Sequence, residues 1–222
     1  LEEAVLTVRG VLTKKDLPPD LTTASMNKAK AQWARQHVSL IAYDSPSIQK
    51  TVDTIRALGY KMHVGLPDAK VAQPNINSRQ RLGVELELNC RYYTTGRSTL
   101  ESHKTEFAEF VDPQGVLASF VTDSVSHCQD NQVAYMDFKC GKYSRYELKD
   151  PSAFQVGDIV EVGFAMVAWR NSKANEDLSY VTTMVLRSVT LLDDTYTKVS
   201  CALRKQAGSY RVSLSASFFE QT

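Results

Sequence analysis

The sequence lacks the features that define several protein classes. Its longest apolar runs, at 38–43 and 162–169, are far shorter than the ~20 residues that span a bilayer. Lysine plus arginine (26) nearly balance aspartate plus glutamate (25), so the whole chain generates no strong electrostatic field. We therefore expect no membrane-spanning segment, and any nucleic-acid-binding role must come from a local patch of charge.

Cysteine is scarce and scattered. The sequence of 222 residues contains Cys90, Cys128, Cys140 and Cys201, without the density or close pairing of a secreted disulfide scaffold. The apolar fraction of 43% is sufficient for a folded core, so no covalent cross-link is needed for stability. We expect four reduced thiols and an intracellular location, either nuclear or cytoplasmic.

Motifs for common catalytic chemistry are also missing. There is no phosphate-binding glycine loop, dinucleotide fingerprint or serine elbow. His127, Cys128 and Cys140 lie in one region, with His103 further away, but they do not form the two closely spaced ligand pairs of structural zinc. Cys128 follows His127 directly, and neighbours on an extended strand point to opposite faces. We therefore predict no metal, no cofactor and no identifiable catalytic residue.

The first third of the chain has α/β character. Its apolar spacing changes from strand-like to helical and back, and Gly59 suits the end of a helix. Prolines and asparagines without apolar periodicity follow at 65–81, which indicates a connecting loop. We predict an α/β N-terminal region at 1–78. Its predicted elements are strands at 4–11, 38–43 and 60–65 and helices at 25–37 and 46–58.

From residue 82 onward the pattern is that of β-strands. In the segment 84–92, apolar residues alternate with polar ones, which places one face in the core and one in water. Regularly spaced strands separated by turns favour a barrel or a sandwich. We predict an α+β fold, with a mainly antiparallel β barrel or sandwich at 79–222. The other elements predicted there are a helix at 98–110 and strands at 115–122, 132–139, 142–148, 159–169, 179–192, 195–204 and 210–219.

One segment also resembles other proteins. Its distinguishing residues are Phe154, Gly157-Asp158-Ile159-Val160-Glu161, Val185-Leu186-Arg187-Ser188 and Leu191-Leu192-Asp193. Through these residues, the stretch from Asp150 to Lys198 resembles uncharacterised proteins of mushroom-type fungi. The resemblance implies a fungal, intracellular protein and transfers no site residues. The same residues also fit a turn at Gly157-Asp158 between two antiparallel strands.

Two stretches of the β region mix cations with aromatic rings. Proteins bind single-stranded nucleic acid by stacking bases on aromatic side chains while cations follow the phosphates. Tyrosine is also favoured in strands for packing, and lysine protects sheet edges, so ordinary strand composition is the alternative interpretation. The predicted nucleic-acid-binding residues are Arg91, Tyr93, Arg97, Lys142, Tyr143, Arg145 and Tyr146.

These observations predict a non-enzymatic binding module for single-stranded DNA or RNA. One alternative is a β-sandwich that binds a glycan or a protein partner, with Trp169 as a flat platform. Another is a hydrolase or transferase whose site is assembled from distant residues. Salt dependence separates the first two, because phosphate binding weakens steeply as salt rises.

Overall fold

The protein is built around one nine-stranded β-sheet that curls into a barrel. The computed structural model of the chain describes residues 3–19, 32–42, 46–65, 70–72, 76–79, 83–95, 104–141, 143–170 and 179–201. The elements of the first half are β1 (Leu6–Asp16), β2 (Arg35–Ala42), α1 (Pro46–Val64), β3 (Lys70–Ala72), β4 (Ile76–Arg79), β5 (Gly83–Arg91) and β6 (Thr94–Thr95). Those of the second half are β7 (Val125–Ser126), β8 (Ala134–Lys139), β9 (Arg145–Leu148), β10 (Ile159–Arg170) and β11 (Ser179–Asp193).

Five of these strands close the barrel. β1 pairs antiparallel with β2 and β10, β2 pairs antiparallel with β5, and β10 pairs antiparallel with β11. A parallel bridge between Val185 and Asn89 joins β11 to β5 and completes the ring. The predicted α+β class with a β barrel is therefore confirmed. The order of connections is that of an OB-fold barrel, in which the third and fifth strands pair in parallel.

The core lies inside this ring, and it follows from the alternation of side chains along each strand. Val38 and Leu40 of β2, Leu88 of β5, and Val162 and Phe164 of β10 are all essentially inaccessible to solvent. Burial of such side chains stabilises a fold by roughly 1.5 to 3 kcal/mol each. The polar residues between them are left on the outward face of the barrel.

The sheet continues beyond the barrel on both sides. β11 is 15 residues long, and its second edge pairs in turn with β3, β5 and β8, all in parallel. β9 extends the sheet by pairing antiparallel with β8, and β4 pairs with β5. Strands from both sides of position 78 thus belong to one sheet. No helix in the described part of the chain is long and apolar enough to cross a membrane.

Several predicted elements are wrong. α1 is confirmed at its start but continues to Val64, so there is no strand at 60–65. Gly59 lies on the same buried face as Val52 and Ile55, where it allows close packing instead of ending the helix. The described part of the predicted helix at 25–37 is a turn that leads into β2, because tertiary pairing overrides a short helical pattern.

Three predictions in the second half also need correction. The described residues of 98–110 contain no helix, and the segment 115–122 forms turns and the 3-10 helix Ala118–Phe120. Residues 195–201 are helical, not a strand. The strand predicted at 210–219 lies outside the described residues.

The helical segment 195–201 is attached to the turn that precedes β10. Both carboxylate oxygens of Asp158 accept hydrogen bonds, one from the Gln155 N–H at 2.7 Å and one from the Thr197 hydroxyl at 2.6 Å. Gly157 has a φ of +104°, and a Cβ added there would lie 2.9 Å from Cγ2 of Thr197. This position therefore requires glycine for both backbone and packing reasons.

We expect Gly157→Ala to lower the free energy of unfolding by about 2 kcal/mol, measured by urea denaturation. Gly115→Ala is the matched control, because Gly115 also has a positive φ (+67°) but no atom within 4 Å of an added Cβ. It should cost about 1 kcal/mol from backbone strain alone. Adding Thr197→Ser, which keeps the hydroxyl and removes Cγ2, should recover part of the loss. Equal effects at both glycines would contradict the packing argument.

Candidate nucleic-acid interface

The outward face of β2 and β5 is open to solvent at only one end. Cross-strand neighbours on this face form successive rows, beginning with Arg35 opposite Arg91 and continuing with His37 opposite Asn89. Further along β2, Ser39 and Ile41 belong to the same face but are buried. A ligand that approaches this face therefore meets the end where β2 begins and β5 ends.

An aromatic ring and two guanidinium groups meet at this open end. Trp33, in the turn before β2, is 59% exposed, and Cζ of Arg91 lies 5.4 Å from the centre of its ring. Arg35 donates a hydrogen bond from Nη1 to Oδ1 of Asn89 at 3.0 Å. We call Trp33, Arg35 and Arg91 the Trp33 cluster.

The Trp33 cluster carries the positive charges of two arginines. Within the described ranges, no carboxylate forms an ion pair with Arg35 or Arg91. Partial burial lowers the pKa of Arg35, and the positive charge of Arg91 lowers it further. Like charges directly opposite one another on paired strands repel. An anion bound between them would relieve that repulsion.

The opposite half of this face is acidic. Glu87 and the buried Glu85 both lie near the ammonium group of Lys14, with N–O distances of 3.9 Å and 3.8 Å. Glu87 is four residues before Arg91, which corresponds to about 13 Å along the strand. A phosphate chain is therefore attracted to one end of the face and repelled from the other.

A buried polar network supports the Trp33 cluster from inside. Gln36, next to Arg35, accepts a hydrogen bond from the Tyr135 hydroxyl and donates one to the carbonyl oxygen of Asn131 at 3.2 Å. Oδ1 of Asn131 accepts from the Cys128 N–H at 2.9 Å and from the Thr94 hydroxyl at 3.0 Å. Such networks fix side chains in one arrangement when all members are bonded. These bonds connect the start of β2 to β8 and to the 3-10 helix Gln129–Asn131 that precedes β8.

The residues predicted from the sequence do not form one surface. Arg91 belongs to the Trp33 cluster, but Tyr93 is only 1% exposed, and its hydroxyl donates to the Leu117 carbonyl at 2.8 Å. Tyr93 was predicted to contribute to the binding surface, and in this structure its ring lies in the core, where a base cannot stack on it. Arg97 and Lys142 lie outside the described residues.

The other three predicted residues are in or beside β9, at the outer edge of the sheet. Tyr143 and Tyr146 are exposed, by 80% and 56%. Arg145 forms an ion pair with Glu147 at 2.7 Å, so its charge is already neutralised locally. No contact among the described residues links them to Arg91. Their role in binding stays a prediction.

Sequence reasoning missed Trp33 and Arg35 as site residues, because the predicted helix at 25–37 placed Trp33 on its apolar stripe and Arg35 on its solvated face. The signal that could have found them is the alternation Arg35-Gln36-His37-Val38-Ser39-Leu40, which has the period of two typical of strands. Trp169, the platform of the alternative reading, is 57% exposed, and its indole N–H donates to the Thr183 hydroxyl at 2.9 Å.

The buried thiols are of the unreactive type, and the buried imidazole has a structural partner. All four cysteines are unbridged, as predicted. Burial raises the pKa of Cys90 to about 11, which disfavours a reactive thiolate. His127 donates from Nδ1 to the Tyr92 carbonyl at 2.8 Å, and burial lowers its pKa. No group of three or more potential metal ligands occurs within the described segments.

Comparison with known proteins gives little further information. No protein-family model matches the chain, and no curated protein matches it. Among solved structures, it is similar to gp2.5, a single-stranded DNA binding protein encoded by bacteriophage T7. The two share 13% sequence identity over 86% of this chain and 87% of that chain, with a TM-score of 0.48. A likeness at this level does not establish a shared function.

Proposed function

We propose that this protein binds single-stranded nucleic acid at the Trp33 cluster. The observation that carries the proposal is an exposed indole next to two guanidinium groups without ion-pair partners in the described chain, on neighbouring strands of a barrel. An aromatic ring offers a stacking surface for any base, and adjacent cations hold the phosphates. These two requirements are met at one place on the surface.

The chemistry of arginine favours phosphate as the ligand group. The planar guanidinium presents its N–H groups in a fork that matches two phosphate oxygens, and it is less strongly hydrated than an ammonium group. Arg35 and Arg91 lie opposite one another across β2 and β5. One phosphate placed between them would accept hydrogen bonds from both and lower their mutual repulsion. A neutral sugar or an apolar partner would not provide this relief.

The exposed ring favours a single strand over a duplex. In double-stranded DNA the bases are stacked on one another, so their faces are not available to Trp33. Among the described residues, Glu85 and Glu87 share the single ammonium group of Lys14, so the Lys14 end of the face keeps a net negative charge that restricts the phosphate chain to the basic end. The ligand is therefore a short stretch of unpaired nucleotides. Stacking and phosphate contacts occur with both DNA and RNA.

The topology of the barrel gives weaker support. OB-fold barrels bind oligonucleotides and oligosaccharides on the face of their second and third strands, and β2 and β5 are the second and third barrel strands here. A fold alone does not establish a function, so the side chains of the Trp33 cluster carry the argument. A nucleic-acid ligand and four unbridged thiols fit the intracellular location expected from the sequence.

The test is binding of labelled single-stranded oligonucleotides, followed by fluorescence anisotropy over a range of salt concentrations. Trp33→Ala should weaken binding by about 5- to 150-fold, since loss of a stacked base costs about 1 to 3 kcal/mol. Arg35→Ala should lower the slope of log K against log salt by about 0.7 for each phosphate contact removed.

Two control variants separate this site from other exposed residues. Trp169→Ala removes the other tryptophan, which is similarly exposed, and should leave affinity unchanged. Arg56→Ala removes an arginine that is paired with Asp53 on α1, and it should leave the salt slope unchanged. Absence of binding even near about 50 mM salt, where phosphate contacts are strong, would refute the proposed function. Equal losses in Trp33→Ala and Trp169→Ala would refute the proposed site.

A further inference from the structure

We propose that two copies of this chain associate through the outer edge of β9, in an antiparallel pairing centred on Tyr146. β9 is the last strand of the sheet and pairs with β8 along one edge. Among the described residues, no strand pairs with its other edge. An open strand edge presents unpaired N–H and C=O groups, which can pair with a strand of another molecule.

The direction of the backbone groups defines which residues can take part. The N–H of Lys149 donates to the carbonyl oxygen of Tyr135 on β8 at 3.0 Å. In an antiparallel ladder, alternate residues direct their backbone groups to the same neighbour. Arg145, Glu147 and Lys149 therefore direct theirs to β8. Ser144, Tyr146 and Leu148 direct theirs to the open edge.

Two-fold symmetry then makes Tyr146 a natural centre. A symmetric antiparallel pair with its axis perpendicular to the sheet places one residue opposite its own copy. A pair centred on Arg145 or Glu147 would bring like charges together, so the central residue should be uncharged and should direct its N–H and C=O across the interface. Tyr146 meets this condition. The same register places Ser144 opposite Leu148 of the second copy, so three residue pairs can form hydrogen bonds.

The charges are self-complementary in this register. Arg145 lies opposite Glu147 of the second copy, and Glu147 opposite Arg145 of the second copy, on the same face of the extended sheet. Within one copy, these side chains are already 2.7 Å apart, so four alternating charges would form a compact group. A register centred on Ser144 would instead place Arg145 opposite Tyr143. Opposite charges on paired strands favour association.

The other face of β9 provides apolar contact. Tyr146 is 56% exposed and Leu148 is 78% exposed, although both lie on a regular strand. The ring of Phe138 on β8 lies 5.2 Å from that of Tyr146 and continues the apolar strip. In the proposed pairing, the two Tyr146 rings lie side by side at the axis, and each Leu148 is covered. Exposed apolar strips of this kind are typical of interaction sites.

The experiment is sedimentation of the full chain over a range of concentrations, without nucleic acid, so that its outcome is independent of the proposed function. Wild type should reach twice the 24.8 kDa mass of one chain. R145E and E147R should each sediment as a single chain, because each places like charges opposite one another. The double variant R145E/E147R restores opposite charges and should again reach twice the mass.

The control is R56E, which makes the same change of charge on the exposed face of α1 and should keep the dimer mass. Circular dichroism confirms that each variant is folded. Three results would each overturn the proposal. The wild type could sediment as one chain at every concentration, R145E or E147R could still sediment as a dimer, or R145E/E147R could remain a single chain.

Discussion

Phe164→Ala is expected to lower the free energy of unfolding by about 3 to 5 kcal/mol, the range for removal of a large side chain from a packed core. Phe164 is fully buried in β10, where it lies opposite Leu6 of β1 and Leu186 of β11. The surrounding strands belong to a closed ring and cannot collapse into the space that the ring of Phe164 leaves. The loss should therefore be near the upper end of this range.

The measurement is urea unfolding followed by far-UV circular dichroism and by tryptophan fluorescence. Since β1 and β10 share this contact, both probes should report one transition that moves as a unit. Phe138→Ala is the matched control, because Phe138 is half-buried on β8 outside the barrel, and it should cost less. If the variant showed two transitions and only one of them shifted to lower urea concentration, the regions 1–78 and 79–222 would unfold separately.

Asn131→Ala is expected to cost about 2 to 4 kcal/mol. The side chain of Asn131 accepts hydrogen bonds from the buried Cys128 N–H and from the Thr94 hydroxyl. Alanine leaves both donors without this acceptor, and an unsatisfied buried donor costs about 1 to 3 kcal/mol. Urea denaturation measures the loss directly.

The neighbouring residue provides the control for Asn131. Gln132 is exposed, and its side chain makes a long hydrogen bond of 3.4 Å to the Thr105 hydroxyl, so Gln132→Ala should change stability by no more than about 0.5 kcal/mol. If Asn131→Ala were equally mild, the network between β2 and β8 would contribute little to stability. The Trp33 cluster would then be held in place by contacts other than this network.

The strands of the barrel were predictable where alternation is long and uninterrupted. β5 shows this clearly, because Leu86 and Leu88 face inward while Glu87 and Arg91 face outward, as the pattern requires. β10 and β11 were also predicted, since their apolar runs are long and bounded by turn residues. Closure of the ring was not predictable, because the pairing of β5 with β11 joins segments about 100 residues apart.

The candidate site was predicted only in part, and the reasons are local. Trp33 and His37 are spaced as on one side of a helix, and this pattern competed with the alternation that begins at Arg35. Pairing with β5 stabilises the strand at the expense of the helix. This partner cannot be identified from a single sequence. The burial of Tyr93 was not predictable for a similar reason, because its side chain contacts residues beyond position 100, among them Phe107 and Leu117.

The pairing of β1 with β10 also affects how the chain folds. Leu6 and Phe164 are direct neighbours in the sheet although about 160 residues separate them along the chain. Contacts of such long sequence separation slow folding, typically to milliseconds or seconds, because a large loop must close first. During synthesis, β1 and β2 have no complete ring to join until β11 leaves the ribosome. Until then the apolar residues of β1 and β2 lack the partners that bury them in the native barrel, and exposed apolar surface of this kind promotes aggregation.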